Sequence, residues 1–113
     1  MAPLDPGVQG ARGDLMLQAA RKSRSSSDLG AAERAYRQAL ARDPNNAVYW
    51  AGIGQVQYAR GDFTGAVVTF ERVVTLARDS SQMWRALAQA YRASGRPADA
   101  RKAETQSLAA GNR

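Results

Sequence analysis

The sequence contains no cysteine and no histidine in its 113 residues. Disulfide bonds, thiolate or imidazole metal sites, cysteine nucleophiles and histidine acid–base catalysis are therefore excluded. Aromatic residues make up 7% of the chain, and its apolar runs are only a few residues long, so we expect no segment that spans a bilayer. These absences exclude most common enzyme mechanisms. We therefore predict no catalytic residue, no metal and no cofactor.

Lysine is nearly absent, because all but Lys22 and Lys102 of the 16 basic residues are arginines. With 10 acidic residues the net charge is +6, which permits acidic peptides, nucleic acid or lipid head groups as partners. A GC-rich bacterial genome would give the same arginine, alanine and glycine bias. Composition alone leaves both interpretations open.

The beginning of the chain shows neither the basic nor the apolar region of a signal peptide. We expect residues 1–12, which are rich in proline and glycine, to form a flexible leader. For the chain as given we expect a cytoplasmic location. A periplasmic or membrane-associated location applies if the chain is part of a longer protein.

A repeat with a period of 34 residues runs through the chain. Trp50 recurs as Trp84, and Ala32, Ala66 and Ala100 fall in one column. Other columns are Ala20, Gly54 and Ala88; Ser27, Gly61 and Gly95; Tyr36 and Phe70; and Leu40, Val74 and Leu108. So many coincidences at one period predict three copies of one structural unit.

Each unit contains two helical patterns separated by a short turn, which is typical of a helical hairpin. We expect Asp28, Asn46 and Asp62 to cap helices and Pro97 to stand in a first turn. The predicted helices are 14–24, 29–42, 47–59, 63–77, 81–94 and 97–109. The corresponding repeats are about 13–46, 47–80 and 81–113, within a domain that covers 13–112.

Small residues inside these helices predict close helix packing. Gly54 facing Ala66 would let two backbones approach, with Trp50 and Phe70 as wedges beside them. In the last helix we expect a polar outer face that ends the array, or a surface that another subunit covers. That face is formed by Arg101, Glu104 and Ser107.

The chain resembles the tetratricopeptide repeat family. The resemblance rests on Trp50, Ile53-Gly54, Ala66 and Phe70 in the second unit; on Trp84, Leu87-Ala88, Tyr91, Gly95 and Ala100 in the third; and on Ala32, Tyr36, Ala39 and Pro44 in the first. It departs from the family at Met16, Gln57 and Arg78. The resemblance implies an all-α, right-handed α-solenoid of three helix-turn-helix repeats with six helices. It also implies a concave groove that binds a segment or helix of a protein partner.

The resemblance maps the groove onto the first helix of each hairpin. The small middle and the basic flanks of this groove suit a peptide with acidic residues around a small apolar anchor. The candidate groove residues are Leu17, Arg21, Arg24, Val48, Gln55, Tyr58, Arg85, Gln89 and Arg92; Ala51 and Gly52 fall on the same predicted face. The basic residues could equally form an ordinary solvated face.

One family role is rejected from the same mapping. Relatives that bind the carboxyl terminus of heat-shock chaperones use a Lys/Asn/Asn/Lys/Arg clamp. The matching positions here are Leu17, Arg21, Gly52, Gln82 and Ala86. A cochaperone role is therefore not expected.

We predict a bacterial protein-interaction adaptor or scaffold that is not an enzyme. The first alternative is a homo-oligomeric, self-assembling scaffold. Nucleic-acid binding is disfavoured, because the basic residues are spread over all helices instead of forming one stripe. Enzyme activity is disfavoured because the aspartates fall mainly in turns and caps, and because no phosphate loop or nucleophile elbow is present.

Overall fold

A computed structural model of the protein describes residues 26–111, and this part of the chain is built from five α-helices without any strand. The all-α prediction is confirmed for this range, and each helix end lies within three residues of its predicted position. The predicted leader 1–12 and the predicted helix 14–24 lie outside the described residues. The helices are α1 (Ser26–Arg42), α2 (Ala47–Ala59), α3 (Phe63–Leu76), α4 (Ser81–Ala93) and α5 (Pro97–Gly111).

Extensive packing joins each helix only to its neighbours in sequence. Tyr36 and Leu40 of α1 pack with Ile53 and Val56 of α2 in one apolar cluster. A larger cluster continues from α2 through α5 and contains Phe70, which is 2% exposed. Contact limited to sequence neighbours is the arrangement expected of stacked repeats.

The turns after α2 and α4 are built alike, at positions one period apart. Gly61 has a φ of 81° and Gly95 a φ of 83°, in the left-handed region that favours glycine. After α2, the amide of Asp62 donates to the carbonyl of Gln57 at 2.9 Å, and after α4, the amide of Arg96 donates to Tyr91 at 2.8 Å. Both turns thus end a helix with a Schellman-type bond that satisfies its last carbonyls.

The first unit departs from this pattern, and the prediction that Asp28 caps a helix is wrong. Ser27 occupies the position of Gly61 and Gly95, but it lies inside α1, and Asp28 lies in the first turn of that helix. Serine has a Cβ atom that disfavours the left-handed conformation, so a helical backbone costs less at this position. A carboxylate in a first turn still interacts favourably with the helix dipole.

The predicted starts of the other four described helices are confirmed. Asn46 accepts the amides of Val48 and Tyr49 as the N-cap of α2. Asp62 caps α3 by accepting the amide of Gly65 at 2.9 Å, and α5 begins at Pro97. A further N-cap, Ser80, stands one period after Asn46 and starts α4.

The glycines of α2 do allow close packing, but against aromatic rings. A Cβ atom on Gly54 would lie 2.8 Å from Cζ of Phe70, so the side chain nearest to Gly54 is this ring. A Cβ on Gly52 would lie 2.3 Å from the ring of Tyr36. Gly52 is therefore a buried packing position, and its predicted place on an open groove is wrong.

Candidate protein-binding surfaces

One face of α4 carries three exposed polar side chains, those of Arg85, Gln89 and Arg92. Their spacing of four and then three residues puts them on the same side of the helix. They form one wall of a cleft of about 620 Å³, and Glu104 and Leu108 of α5 stand in the opposite wall. The structure therefore brings together three of the predicted site residues in one cleft between the last two helices.

Charge in this cleft is mainly positive. Arg92 forms an ion pair with Glu104 across the cleft. Nη2 of Arg85 lies 3.5 Å from Oγ of Ser81, which is an uncharged partner. Among the described residues that line the cleft, Glu104 is the one carboxylate and already has a cation beside it, so the guanidinium of Arg85 gives these residues an excess of positive charge.

The predicted polar outer face of the last helix is correct only in part. Arg101 is exposed and Glu104 is partly exposed, as a solvent-facing side requires. Ser107, however, is 5% exposed, and its Oγ donates to the backbone carbonyl of Ser81 at 3.0 Å. Ser107 thus joins α5 to α4, because a buried hydroxyl needs a hydrogen-bond partner.

The 34-residue register shows which kind of surface this cleft is. Leu40 and Val74 are 7% and 5% exposed, whereas Leu108 in the same column is 72% exposed. Ala51 is 4% exposed, whereas Arg85 one period later lies on the surface. The part of the cleft around Arg85 and Leu108 therefore corresponds to positions that are buried in the preceding hairpin, whereas Gln89 and Arg92 correspond to Gln55, which is partly buried, and to Tyr58, which is 39% exposed.

Two of the candidate residues of α2 are exposed. Val48 is 55% exposed and Tyr58 is 39% exposed, with the ring of Tyr58 edge-on to Phe63 at 5.0 Å. Gln55 between them is partly buried, and Ala51 on the same side of the helix is buried. The remaining candidates, Leu17, Arg21 and Arg24, lie outside the described residues.

Among the described residues, Tyr91 and Glu33 have shifted pKa values, and both join neighbouring helices. Burial, followed by the hydrogen bond that its hydroxyl donates to Glu71 at 2.8 Å, raises the pKa of Tyr91 to about 12. The pKa of Glu33 is lowered chiefly by its hydrogen bond from Arg37 and also by that from Arg60. The bond from Arg60 links α1 to the end of α2, so these groups hold neighbouring helices together.

Sequence reasoning did not single out Leu108 as a binding residue. The signal was present, because Leu108 shares a column with Leu40 and Val74, but a column does not show which of its members is covered.

Sequence reasoning also missed the indole hydrogen bonds. Nε1 of Trp50 donates to the carbonyl of Pro44 at 2.8 Å, and Nε1 of Trp84 donates to that of Arg78 at the same distance.

Two further findings concern residues 26–111 only. Within this range, no three acidic side chains come together in a way that could hold a metal ion. None of the described helices has the length and apolar character needed to cross a bilayer.

A family model for the tetratricopeptide repeat matches residues 23–90 and, in a second overlapping register, residues 57–110. The chain belongs to the tetratricopeptide repeat family. Tetratricopeptide repeats generally mediate protein–protein interactions and are generally non-catalytic modules. No curated protein matches this tetratricopeptide repeat chain.

Proposed function

We propose that this tetratricopeptide repeat protein is a non-catalytic adaptor or scaffold module that binds a segment of a protein partner on the surface formed by α2 and α4. The proposal includes three repeats in a right-handed solenoid, with predicted boundaries at about 13–46, 47–80 and 81–113. The observation that carries it is the common placement of Arg85, Gln89 and Arg92 along one exposed face of α4.

The side chains on this surface define the chemistry of the partner. Arginine offers a fork of N–H donors that matches a carboxylate, and glutamine can bond to the backbone of an extended chain. Val48 and Tyr58 supply exposed apolar area on α2. We infer a peptide with acidic residues on both sides of a small apolar anchor.

A titration with a labelled peptide tests this proposal. The probe is an extended peptide of alternating glutamate and glycine with one central valine, and its control carries lysine in place of glutamate. We expect saturable binding of the acidic probe that weakens as salt increases, since ion pairs near the surface are screened. The lysine control should not bind.

Matched variants separate the arginine face from general charge. The double variant Arg85→Ala and Arg92→Ala should weaken binding of the acidic probe at least tenfold, because two charge-assisted hydrogen-bonding partners are lost. Arg34 and Arg42 are exposed on α1, and replacing both with alanine changes the net charge by the same amount. If both double variants lost the same affinity for the acidic probe, or if the affinity did not depend on salt concentration, the face of α4 would not be the binding site.

A further inference from the structure

The last hairpin has a face that points away from the preceding repeats. Part of this face resembles the faces that pack between successive hairpins. We call Arg85, Gln89, Arg92, Glu104 and Leu108 the end surface. One period earlier, the equivalents of Leu108 and Glu104 are Val74 and Phe70, which are 5% and 2% exposed. At Leu108 the end surface therefore has the position of a residue that is buried one period earlier, whereas Gln89 and Arg92 correspond to Gln55 and Tyr58, which are partly buried and exposed.

The interfaces between successive hairpins show what kind of element covers such a face. Val74 and Phe70 share their cluster with Leu87 and Ala90 of α4, against which Met83 also packs. One period earlier, Tyr49, Ile53 and Val56 of α2 stand at the same positions and pack with α1. Each covering element is therefore an α-helix with an apolar stripe at positions i, i+4 and i+7.

The end surface differs from the earlier junctions in charge. Arg85 stands where the preceding hairpin has Ala51, and Glu104 stands where it has Phe70. Glu104 already pairs with Arg92, so the positive charge of Arg85 is in excess. A covering helix that carries carboxylates beside its apolar stripe complements this surface, whereas a second copy of a chain with net charge +6 would bring further positive charge.

We propose that the end surface binds an acidic amphipathic helix of a partner protein. The helix lies where the first helix of a following repeat would lie, with an apolar residue on Leu108 and a carboxylate at Arg85. This surface overlaps the proposed groove of α2 and α4, because both include Arg85, Gln89 and Arg92. Leu108 belongs only to the end surface and Val48 only to the groove, so these two residues separate the proposals.

The experiment uses a designed helix as the probe. It is an alanine-based peptide of about 16 residues, long enough to be partly helical in water, with leucines at i, i+4 and i+7 flanked by glutamates. A control peptide carries lysine in place of each glutamate. Isothermal titration with the full chain should show saturable binding of the acidic helix and at least tenfold weaker binding of the lysine helix.

Leu108→Arg is the decisive variant. It removes the apolar anchor and adds positive charge, so weaker binding of an acidic probe cannot come from lost attraction. We expect at least a tenfold loss of affinity, since burial of one leucine corresponds to a factor of about ten or more. Val68→Arg is the matched control, because Val68 is 64% exposed on α3 and outside the cleft, and should change the affinity less than twofold.

Three results would overturn the proposal. In the first, the acidic helix fails to bind the wild-type chain. In the second, Leu108→Arg and Val68→Arg bind the acidic helix equally well. In the third, sedimentation velocity shows that the chain self-associates through Leu108 and that this association excludes the helix, which would assign the end surface to a second copy. Val48→Arg should weaken the extended groove peptide but not the helix, so failure of either proposal is recognised separately.

Discussion

Gly54 lies directly against the ring of Phe70, and a Cβ atom at Gly54 would be 2.8 Å from Cζ of that ring. Glycine normally disfavours a helix interior by roughly 1 kcal/mol relative to alanine. Here it is required, because Phe70 is 2% exposed and has no open space into which to move. The cost to α2 is compensated by close contact between the two helices of one hairpin.

Gly54→Ala should therefore destabilise the protein despite the better helix propensity of alanine. Overpacking a closed core costs about 1 to 3 kcal/mol, which exceeds the propensity gain of roughly 1 kcal/mol. Urea unfolding followed by circular dichroism measures the difference in the free energy of unfolding. The second variant Phe70→Leu, added to Gly54→Ala, should recover part of the loss because it removes the clashing ring atoms.

Gly30→Ala is the control for this prediction. Gly30 lies within α1, and a Cβ there would meet only the ends of Arg60 and Arg34 side chains at 3.6 Å and 3.7 Å. Since nothing clashes, the propensity effect should dominate and the protein should gain up to about 1 kcal/mol. Equal effects of Gly30→Ala and Gly54→Ala would contradict the packing explanation.

Gly95→Ala should destabilise for a different reason. A Cβ on Gly95 meets no atom within 4 Å, so the cost comes only from its φ of 83°. The left-handed conformation costs an alanine roughly 1 to 2 kcal/mol. Gly95→Asn should cost less, because asparagine tolerates this region better, and thermal unfolding of the two variants tests the order.

The sequence predicted the five described helices well because the repeat supplies several copies of each signal. Asn46 and Asp62 were recognisable as caps from their position before an apolar pattern, and Gly61 and Gly95 recur one period apart. Ser27 shows the limit of such alignment. Because Ser27 shares a column with Gly61 and Gly95, the alignment predicted a turn at Ser27. Serine has a Cβ atom, and its backbone is helical instead of left-handed.

The candidate site was less accessible to sequence reasoning. Arg85, Gln89 and Arg92 could be placed on one helix face by their spacing, and the structure does put them in one cleft. Whether Leu108 is covered depends on what packs beyond it, and the repeat column contains no such information. Gly52 was assigned to an open groove because a helix face alone does not show that Tyr36 covers it.

Trp84→Phe should destabilise the third repeat by about 1 kcal/mol. The indole Nε1 donates to the carbonyl of Arg78 at 2.8 Å, and phenylalanine would leave that carbonyl without this donor. Because the acceptor is backbone, Arg78→Ala should change the free energy of unfolding by less than about 0.5 kcal/mol. Denaturant unfolding of both variants would contradict the assignment if Arg78→Ala were the more harmful change.

Alkaline pH should weaken the fold through Tyr91. Its pKa is raised from 10.0 to about 12, first by burial and then by the hydrogen bond to Glu71, so the folded state favours the protonated phenol. The stabilisation is complete below pH 10, where the phenol is protonated in both states, and is lost as the pH rises from 10 toward 12. The loss should be on the order of 2 kcal/mol.

The comparison of wild type with Tyr91→Phe isolates this effect from other groups that titrate at high pH. The variant has no phenol, so its free energy of unfolding should fall less steeply between pH 10 and 12. Glu71→Gln should make the pKa of Tyr91 rise less on folding, because it keeps an acceptor for the hydroxyl but removes the negative charge that opposes ionisation. The free energy of unfolding should then fall less between pH 10 and 12 than in wild type. Urea unfolding at pH 8 and pH 11 provides the measurement, and parallel losses in wild type and Tyr91→Phe would show that ionisation of Tyr91 is not coupled to folding.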